Sequence, residues 1–442
     1  PIFSHGIYVD DSESCVLDQN TVLINSINSN AIYMAGSVCN ITDNNLTTTA
    51  AAANLITMTS SSGSRVEYNY INGYNKSGSY GMYAFNTDNL YILNNTISTL
   101  DNSIFLASCT SATIHNNSLY AYRDSAFHIS STFEEDFDHT VSSSNLVHGL
   151  PINYTFNGHN EIYTGMNNEF GLVIVTWSDN FTINNSNISS NGLRVYWNDN
   201  LTIINSNINT TSNDAIRLYE SDNINILNNY IESNCTNCES LMLEGENNAT
   251  ISNNNIIARD GDSYNIGFDE ACTDNIISNN TISHPESGKS SLYLYGTNDN
   301  IIDSNTINSA SSPISLALSS SGNLVQNNSL TCGEDCIIIL GDSENNILVN
   351  NNMSLLGTGY KAIDDSTGGS FYNTVVYNNS YSQILWNKTD LDTSINLSVE
   401  ETIFLENNLA GLIDDSDAEY LNTSAQLEFK GLSYSVDPFL LK

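Results

Sequence analysis

Apolar and polar side chains alternate in short bursts along most of the chain, and one phrase keeps returning. It reads NLYILNNTI at Asn89 to Ile97, NFTINNSNI at Asn180 to Ile188 and NLTIINSNI at Asn200 to Ile208. It returns as NINILNNYI at Asn223 to Ile231 and NATISNNNI at Asn248 to Ile256. Later copies end at Ile282, Ile307, Leu330 and Met353, with weaker ones at Leu119 and Tyr381. Successive ends lie 20 to 28 residues apart, and the one wider gap, from Leu119 to Ile188, is 69 residues, about three periods. Five residues before each end stands an apolar, mostly β-branched residue: Ile92, Ile114, Ile183, Ile203, Ile226, Ile251, Ile277, Ile302, Val325, Leu348 and Val376. An inward strand position requires such a residue.

Three residues before each end stands Asn94, Asn116, Asn185, Asn205, Asn228, Asn253, Asn279, Asn327, Asn350 or Asn378, and only Ser304 breaks that column. A second strand lies between copies, as in GLRVYW (Gly192 to Trp197), AIRLYE (Ala215 to Glu220), SLYLYG (Ser291 to Gly296) and CIIILG (Cys336 to Gly341). Each alternates or runs apolar over about five residues and then meets Gly, Asp or Asn, as turns require. One such period cannot bury its own inward side chains. Stacking successive periods at about 4.8 Å completes the backbone ladder and the core together. The expected architecture is all-β: a single-stranded right-handed parallel β-helix with a small C-terminal β tail. The period-2 pattern rules out a helical solenoid. Residues 1–385 are expected to form the β-helix, with an irregular insertion at about 133–170, and 386–442 a small C-terminal β domain or cap. Thr47 to Ser64 reads as a loop or an irregular coil. The Asn column is expected to serve twice, through amides bonded up and down the stack and through tolerance of the left-handed backbone of a sharp turn.

Composition narrows the partners. The 442 residues carry a formal charge of -38, although only 14% are charged and Lys and Arg total 11. Such a surface repels nucleic acid, anionic lipid and acidic polysaccharide, and attracts cations or basic partners. No stretch of about 18 apolar residues exists, so no membrane segment is expected in this chain. It starts at Pro1 without a signal-like segment, which reads as a processed piece of a longer precursor.

Two irregular segments carry a family resemblance. FDHTVSSSNLVHGLPINY, from Phe137 to Tyr154, resembles the segment that interrupts the β-helix in NosD-type proteins, with His148 and Leu150 where Asn and Lys are usual. The tail from about Asp390 to Leu441 looks like the small β tail after the β-helix in large archaeal surface proteins. The resemblance implies a right-handed β-helix of surface type. A copper role does not carry over, because the six Met and seven His are scattered.

Similar β-helices host polysaccharide lyases, hydrolases and epimerases. Asn86-Thr87-Asp88 spells a hydrolase-like NTD inside an ordinary repeat, while no GHG or RIK follows. Asp10-Asp11, Asp364-Asp365 and Asp414-Asp415 are pairs on distant segments. Arg194 and Arg217 occupy matching positions in adjacent coils, with Glu220 three residues beyond, and read as a surface ion pair or a catalytic group. Asp88, Asp179, Asp199 and Asp222 share a column that reads as Asx-turn chemistry or as an edge binding calcium weakly. Asp260-Gly261-Asp262 and Asp414-Asp415-Ser416-Asp417 are similar calcium candidates. No cofactor is expected beyond such weak Ca2+.

Cys15 and Cys39 occupy equivalent places in neighbouring coils, which suits a disulfide. Cys332 and Cys336 flank a short loop, and Cys235 and Cys238 form a CxxC; both pairs are expected as disulfides. Cys109 and Cys272 are expected as buried free thiols. Disulfides place the chain outside the cell or at the cell surface. Asn40, Asn75, Asn153, Asn387, Asn396 and Asn422 are the expected N-glycan sites, whereas sequons of the ladder column, such as Asn94, Asn116, Asn279, Asn327 and Asn378, are expected to point inward. The expected function is a non-catalytic extracellular structural or adhesive protein, self-associating into a filament, sheath or S-layer. The alternative is a carbohydrate-binding or carbohydrate-cleaving β-helix, with Tyr196, Trp197, Tyr219, Tyr293 and Tyr295 as a stacking strip.

Overall fold

The computed structural model describes residues 5–73, 77–165, 170–365, 373–387, 397, 402–406, 409–412 and 425–430. The chain divides into two compact units, Pro1–Met242 with Ile257–Ser263, and Leu243–Ile256 with Tyr264–Lys442.

The first unit opens with coils of three short strands. Ile7–Asp10, Cys15–Asp18 and Thr21–Ile24 make one coil, and Ile32–Ala35, Cys39–Thr42 and Asn45–Thr48 the next. The coils pair in parallel and in register, Ile7 on Ile32, Cys15 on Cys39 and Val22 on Leu46, so three parallel sheets grow together. Thr47 to Ser64 is more regular than its composition implied: it closes one coil and supplies the first-sheet strand Ile56–Thr59 of the next. Inward residues such as Ile92, Ile114 and Leu119 are buried, and their outward neighbours are not.

The expected insertion contains a short 3-10 helix, Glu134–Phe137, followed by a reversal. Strand Leu146–Val147 pairs antiparallel with Leu150–Phe156 through the two-residue turn His148-Gly149. Both turn residues have positive φ, 50° and 87°, the conformation a tight hairpin demands. Leu150–Phe156 then pairs in parallel with Leu172–Thr176. The third sheet of the first stack thereby becomes the first sheet of a second stack, which continues through Leu193–Tyr196 and Ile216–Tyr219.

The second unit repeats the three-strand coil from Thr250–Ser252 onward, with Ile251 on Ile277, Leu292 on Ile314 and Ile307 on Leu330. It ends differently. Thr374–Asn378 pairs antiparallel with Ser382–Asn387, which pairs antiparallel with Gln426–Phe429. Ile403–Glu406 and Leu409–Leu412 form a further antiparallel hairpin. Most of 386–442 lies outside the described residues.

The Asn column divides into two. Except for Asn378, which lies in strand Thr374–Asn378, the residues three before each copy's end take the left-handed corner, with φ of 57° at Asn94, 55° at Asn279 and 56° at Ser304, which breaks the Asn column and keeps the conformation. They point outward and form no continuous ladder, although Asn350 Nδ2 donates to Asn378 Oδ1 at 3.2 Å; Asn116, Asn279 and Asn327 are exposed, and Asn94 and Asn378 half-buried. The expectation that their sequons face inward is corrected: the chain turns between one Asn and the next. The ladder is the following residue. In the first unit Asn44, Asn69, Asn95 and Asn117 donate Nδ2 in succession to the Oδ1 of the next coil at 2.8–3.0 Å, ending on Asn145. Each Oδ1 also accepts a backbone N–H, and the second amide hydrogen meets a carbonyl, as Asn69 meets Ile41 at 2.9 Å. In the second unit Asn254, Asn280, Asn305, Asn328 and Asn351 repeat it. There a further ladder, Asn275 to Asn300, Asn323, Asn346 and Asn373, runs up another corner.

The three expected disulfides are present. Cys15–Cys39 links two coils across a Cα–Cα distance of 4.5 Å, and Cys235–Cys238 and Cys332–Cys336 staple turns. Cys109 and Cys272 are free and buried, and burial pushes their thiols up to about 11 and about 12. Iodoacetamide is expected to modify no cysteine in the native protein at neutral pH, two after denaturation, and eight after reduction, read by intact mass. A native adduct at either thiol refutes that burial. Asn305→Ala is expected to cost about 1–3 kcal/mol, because it strands buried groups of Asn280 and Ile277. Asn279→Gly, at the left-handed corner, is expected to stay within about 0.5 kcal/mol. Urea unfolding of both variants distinguishes the two columns, and equal losses contradict the division of labour.

Candidate functional site

Of five arginines in the chain, three meet in the first unit at the turns that lead from the third sheet to the first. These turns lie one above another. In the first stack they supply Gly78 and Tyr80, then Asp101 and Asn102, then Arg123 and Asp124; in the second they supply Asn213, Asp214, Asn237 and Glu239. The two stacks meet through Asn191. Its Oδ1 accepts Ala126 N–H at 2.9 Å and its Nδ2 donates to Asp124 O at 3.0 Å, so the file of turns runs on across the reversal. Gly192, at φ 78°, makes the close approach: a Cβ there would stand 2.4 Å from Asp214 O.

Between these turns lies a polar cleft of about 410 Å³. Arg123 grips Asp101 Oδ1 through Nε at 2.9 Å and Nη2 at 2.5 Å, while Asp101 Oδ2 accepts Gly78 N–H. Arg217 Nη1 meets Asp214 Oδ2 at 3.1 Å, and Asp214 Oδ1 accepts Glu239 N–H at 2.9 Å. Asp101 and Asp214 are 5% and 3% exposed, so both carboxylates are held by guanidinium and backbone together. Arg194, 2% exposed, donates Nη1 to the carbonyls of Leu193 and Asp214.

Asp124 is different. Its oxygens accept Ser125 N–H and Asn102 Nδ2, and neither bonds a guanidinium. Burial pushes its carboxyl up; the Ser125 N–H, and Arg194 and Arg217 nearby, counter that, while Asp214 adds to it. Burial also lowers the Arg194 guanidinium, and it raises the Tyr80 phenol with help from Asp124 and Asp101.

Beside the cleft runs a file of rings on the outer face of the first sheet. Tyr83, Phe105 and His128 are register partners, the first pair tilted with centroids 5.4 Å apart and the second stacked at 4.7 Å, and Tyr80 stacks on Phe105 at 5.1 Å. His128 ends the file, because Tyr196 stands edge-on to it at 82°. Earlier in the same sheet Tyr8 stacks on Tyr33 at 5.5 Å, and Thr57 separates that pair from Tyr83.

The residues singled out from sequence fall unevenly. Arg194 and Arg217 are register partners, as their spacing implied. The acid beside Arg217 is Asp214, three residues before it; Glu220 occupies an exposed corner at φ 49°. Asp101, Arg123, Asp124 and Glu239 were missed, because they lie in turns between copies of the phrase. The signal that could have found them is a polar file at one turn, rare arginines among it. Of the expected stacking strip, Tyr196 is buried, Trp197 and Tyr219 meet at 5.9 Å in the first unit, and Tyr293 and Tyr295 lie in the second.

Asp179, Asp199 and Asp222 stack through backbone bridges, while Asp88 accepts Thr110 N and Oγ1 in the earlier stack. Asp260 accepts Asp262 N–H at 2.9 Å, an Asx turn. Asp364 pairs with Lys361 at 2.9 Å. Among the described residues no group of three or more His, Cys, Asp and Glu is arranged for a metal. Asn40 is exposed on a strand and Asn153 half-buried. The side chain of Asn387, and Asn75, Asn396, Asn422 and Asp414 to Asp417, lie outside the described residues. No helix among them is long and apolar enough to cross a membrane.

The family model for the right handed beta helix region matches residues 5–170, 170–288 and 266–429. The chain belongs to this right-handed β-helix family. No curated protein matches it. Among solved structures it is similar to DFA-IIIase from Arthrobacter chlorophenolicus A6 in complex with DFA-III, at 11% identity and a TM-score of 0.36, over 71% of this chain and 76% of that one. The periplasmic alginate epimerase AlgG matches at 10% and 0.36, over 76% and 78%. PfbA, a surface adhesin of Streptococcus pneumoniae, matches at 12% and 0.27, over 90% of each chain. At such identities the likeness concerns fold alone.

Asp124 generates a pH test. Its carboxyl holds its proton to higher pH when folded than when unfolded, so its ionisation opposes folding. The stability it contributes is present in acid and is lost as pH rises from about 4, the unfolded value, through the raised folded value. Asp124→Asn is therefore expected to gain melting temperature relative to the parent as pH rises from about 4 to 7. A difference that does not move with pH contradicts the assignment.

Proposed function

We propose that this chain is an extracellular adhesive β-helix protein that binds carbohydrate, without turnover, at the cleft between its two stacked segments. The observation that carries the reading is the cleft itself, with paired arginines and carboxylates along its turns and Tyr80 leading onto a file of stacked rings. Sugars are held in this way: planar charged groups take hydroxyls in pairs, and an aromatic face takes the apolar face of the ring. The three disulfides support an oxidising location outside the cell, as does the resemblance to archaeal surface proteins of NosD type. N-glycans on exposed sequons and self-association belong to the same reading.

Asp101 and Asp214 already satisfy guanidinium and backbone partners, which suits holding a ligand better than moving protons. Asp124, with its raised carboxyl, supports the alternative of a glycan-cleaving enzyme. A glycan array followed by calorimetry on the best binder tests both. Tyr80→Ala is expected to weaken binding about tenfold, in line with losing one well-packed ring, while Tyr33→Ala leaves it unchanged. Released reducing ends or unsaturated products would establish turnover instead. Equal affinity in Tyr80→Ala and the parent would remove the cleft from the account.

A further inference from the structure

We infer that the cleft takes an uncharged sugar and turns away uronic acids, an inference that rests on the carbohydrate reading above. Three buried polar atoms around the cleft have no hydrogen-bond partner in the protein: Asn213 Nδ2, Arg194 Nη2 and Asn102 Oδ1. The first two donate and the third accepts. Buried polar groups left unmet are costly, and native proteins keep few of them without a reason. A set holding both kinds is completed by a group that donates and accepts through one atom. A hydroxyl does both, whereas an ionised carboxylate only accepts and an ammonium only donates.

The positions allow it. Asn213 lines the cleft, and its Oδ1 is engaged by Asp214 N–H at 2.8 Å, which leaves the amide donor as the unmet side. Asn102 stands behind Asp124, donating to it at 3.0 Å. Arg194 stands behind Asp214, donating to its carbonyl at 3.0 Å. A ligand hydroxyl would reach these second positions through a bridging water. The cleft's volume falls within the range of small-molecule sites, roughly 300–1,000 Å³.

Charge points the same way. Two guanidiniums, Arg123 and Arg217, line the cleft with four carboxyls, Asp101, Asp124, Asp214 and Glu239, within a chain of net charge -38. Arg123 and Arg217 are already committed to Asp101 and Asp214. A uronate carboxylate would meet Asp124 and Glu239 and break an existing ion pair to gain its own. An amino sugar gains from the acidic surface, yet an ammonium seated against these atoms would leave the donors of Asn213 and Arg194 unmet, so it would have to present a hydroxyl there. A neutral pyranose escapes both conflicts and sets its apolar face on Tyr80.

The test uses the full disulfide-bonded chain on immobilised polysaccharides of three kinds: neutral hexans, uronans and amino-sugar polymers. Calorimetry with a neutral oligosaccharide then follows, at low and high salt. The expected result is retention on neutral hexans alone, with affinity changing less than about twofold with salt, since no counterion release accompanies an uncharged ligand. Asn213→Asp, which turns the unmet donor into an acceptor, is expected to weaken binding about tenfold or more. Where Asn213→Asp melts early, Asn237→Gly keeps the left-handed backbone of that turn (φ 57°) and removes a side chain from the exposed wall. It is expected to lower affinity with the fold intact. A preference for uronans that fades with salt overturns the inference and leaves the carbohydrate reading standing, as does a preference for amino sugars. Unchanged neutral binding in a folded Asn213→Asp or Asn237→Gly overturns the placement of the ligand. Retention on none of the three polymers overturns the carbohydrate reading, and this inference with it.

Discussion

Everything in each unit depends on one coil lying in register on the next. A parallel pair of strands fixes which residue stands over which, and a slip of one residue turns every inward side chain outward. The register here is held from inside by apolar files such as Ile92 on Ile114, and at the corners by amides. The amide files are the more exacting of the two. An apolar residue tolerates a neighbour of similar size, whereas an Asn such as Asn305 has donors and an acceptor that meet their partners only in one alignment.

That constraint explains both what was legible in the sequence and what was not. Period, strand alternation and the apolar column are local signals, and they led directly to the fold and to the pairing of Cys15 with Cys39. The Asn column was misread by one residue. In a dipeptide such as Asn94-Asn95, both residues recur at the same spacing, and composition does not say which one turns left and which one turns in. The ladder from Asn275 to Asn373 was overlooked because Leu90 and Ala112 hold the matching place in the first unit, so no column spans the whole chain. The reversal was visible only as an irregular stretch, although the positive-φ requirement explains why Gly149 follows His148.

The cleft was harder to see, for a different reason. Repeats are recognised by what stays the same, and the cleft is made of what differs. Asp101, Asp124, Asp214 and Glu239 sit in turns of unequal length and sequence, and only the meeting of two stacks, bridged at these turns by Asn191, brings them together. Arg194 and Arg217 stood out because arginine is rare here, and their register proved correct. Glu220 was the wrong acid: near Arg217 in sequence, it is carried to an exposed corner, whereas Asp214 precedes the strand and stays at the turn.

The His148-Gly149 hairpin carries a consequence for how such a chain changes over time. Whole coils of about two dozen residues can be gained or lost from the early stack without altering the contact that Asn191 makes with Asp124, provided the loss falls away from the hairpin. The number of coils and the chemistry of the recess are therefore set by separate stretches of the chain, so descendants of this protein can differ widely in length while keeping the same recess.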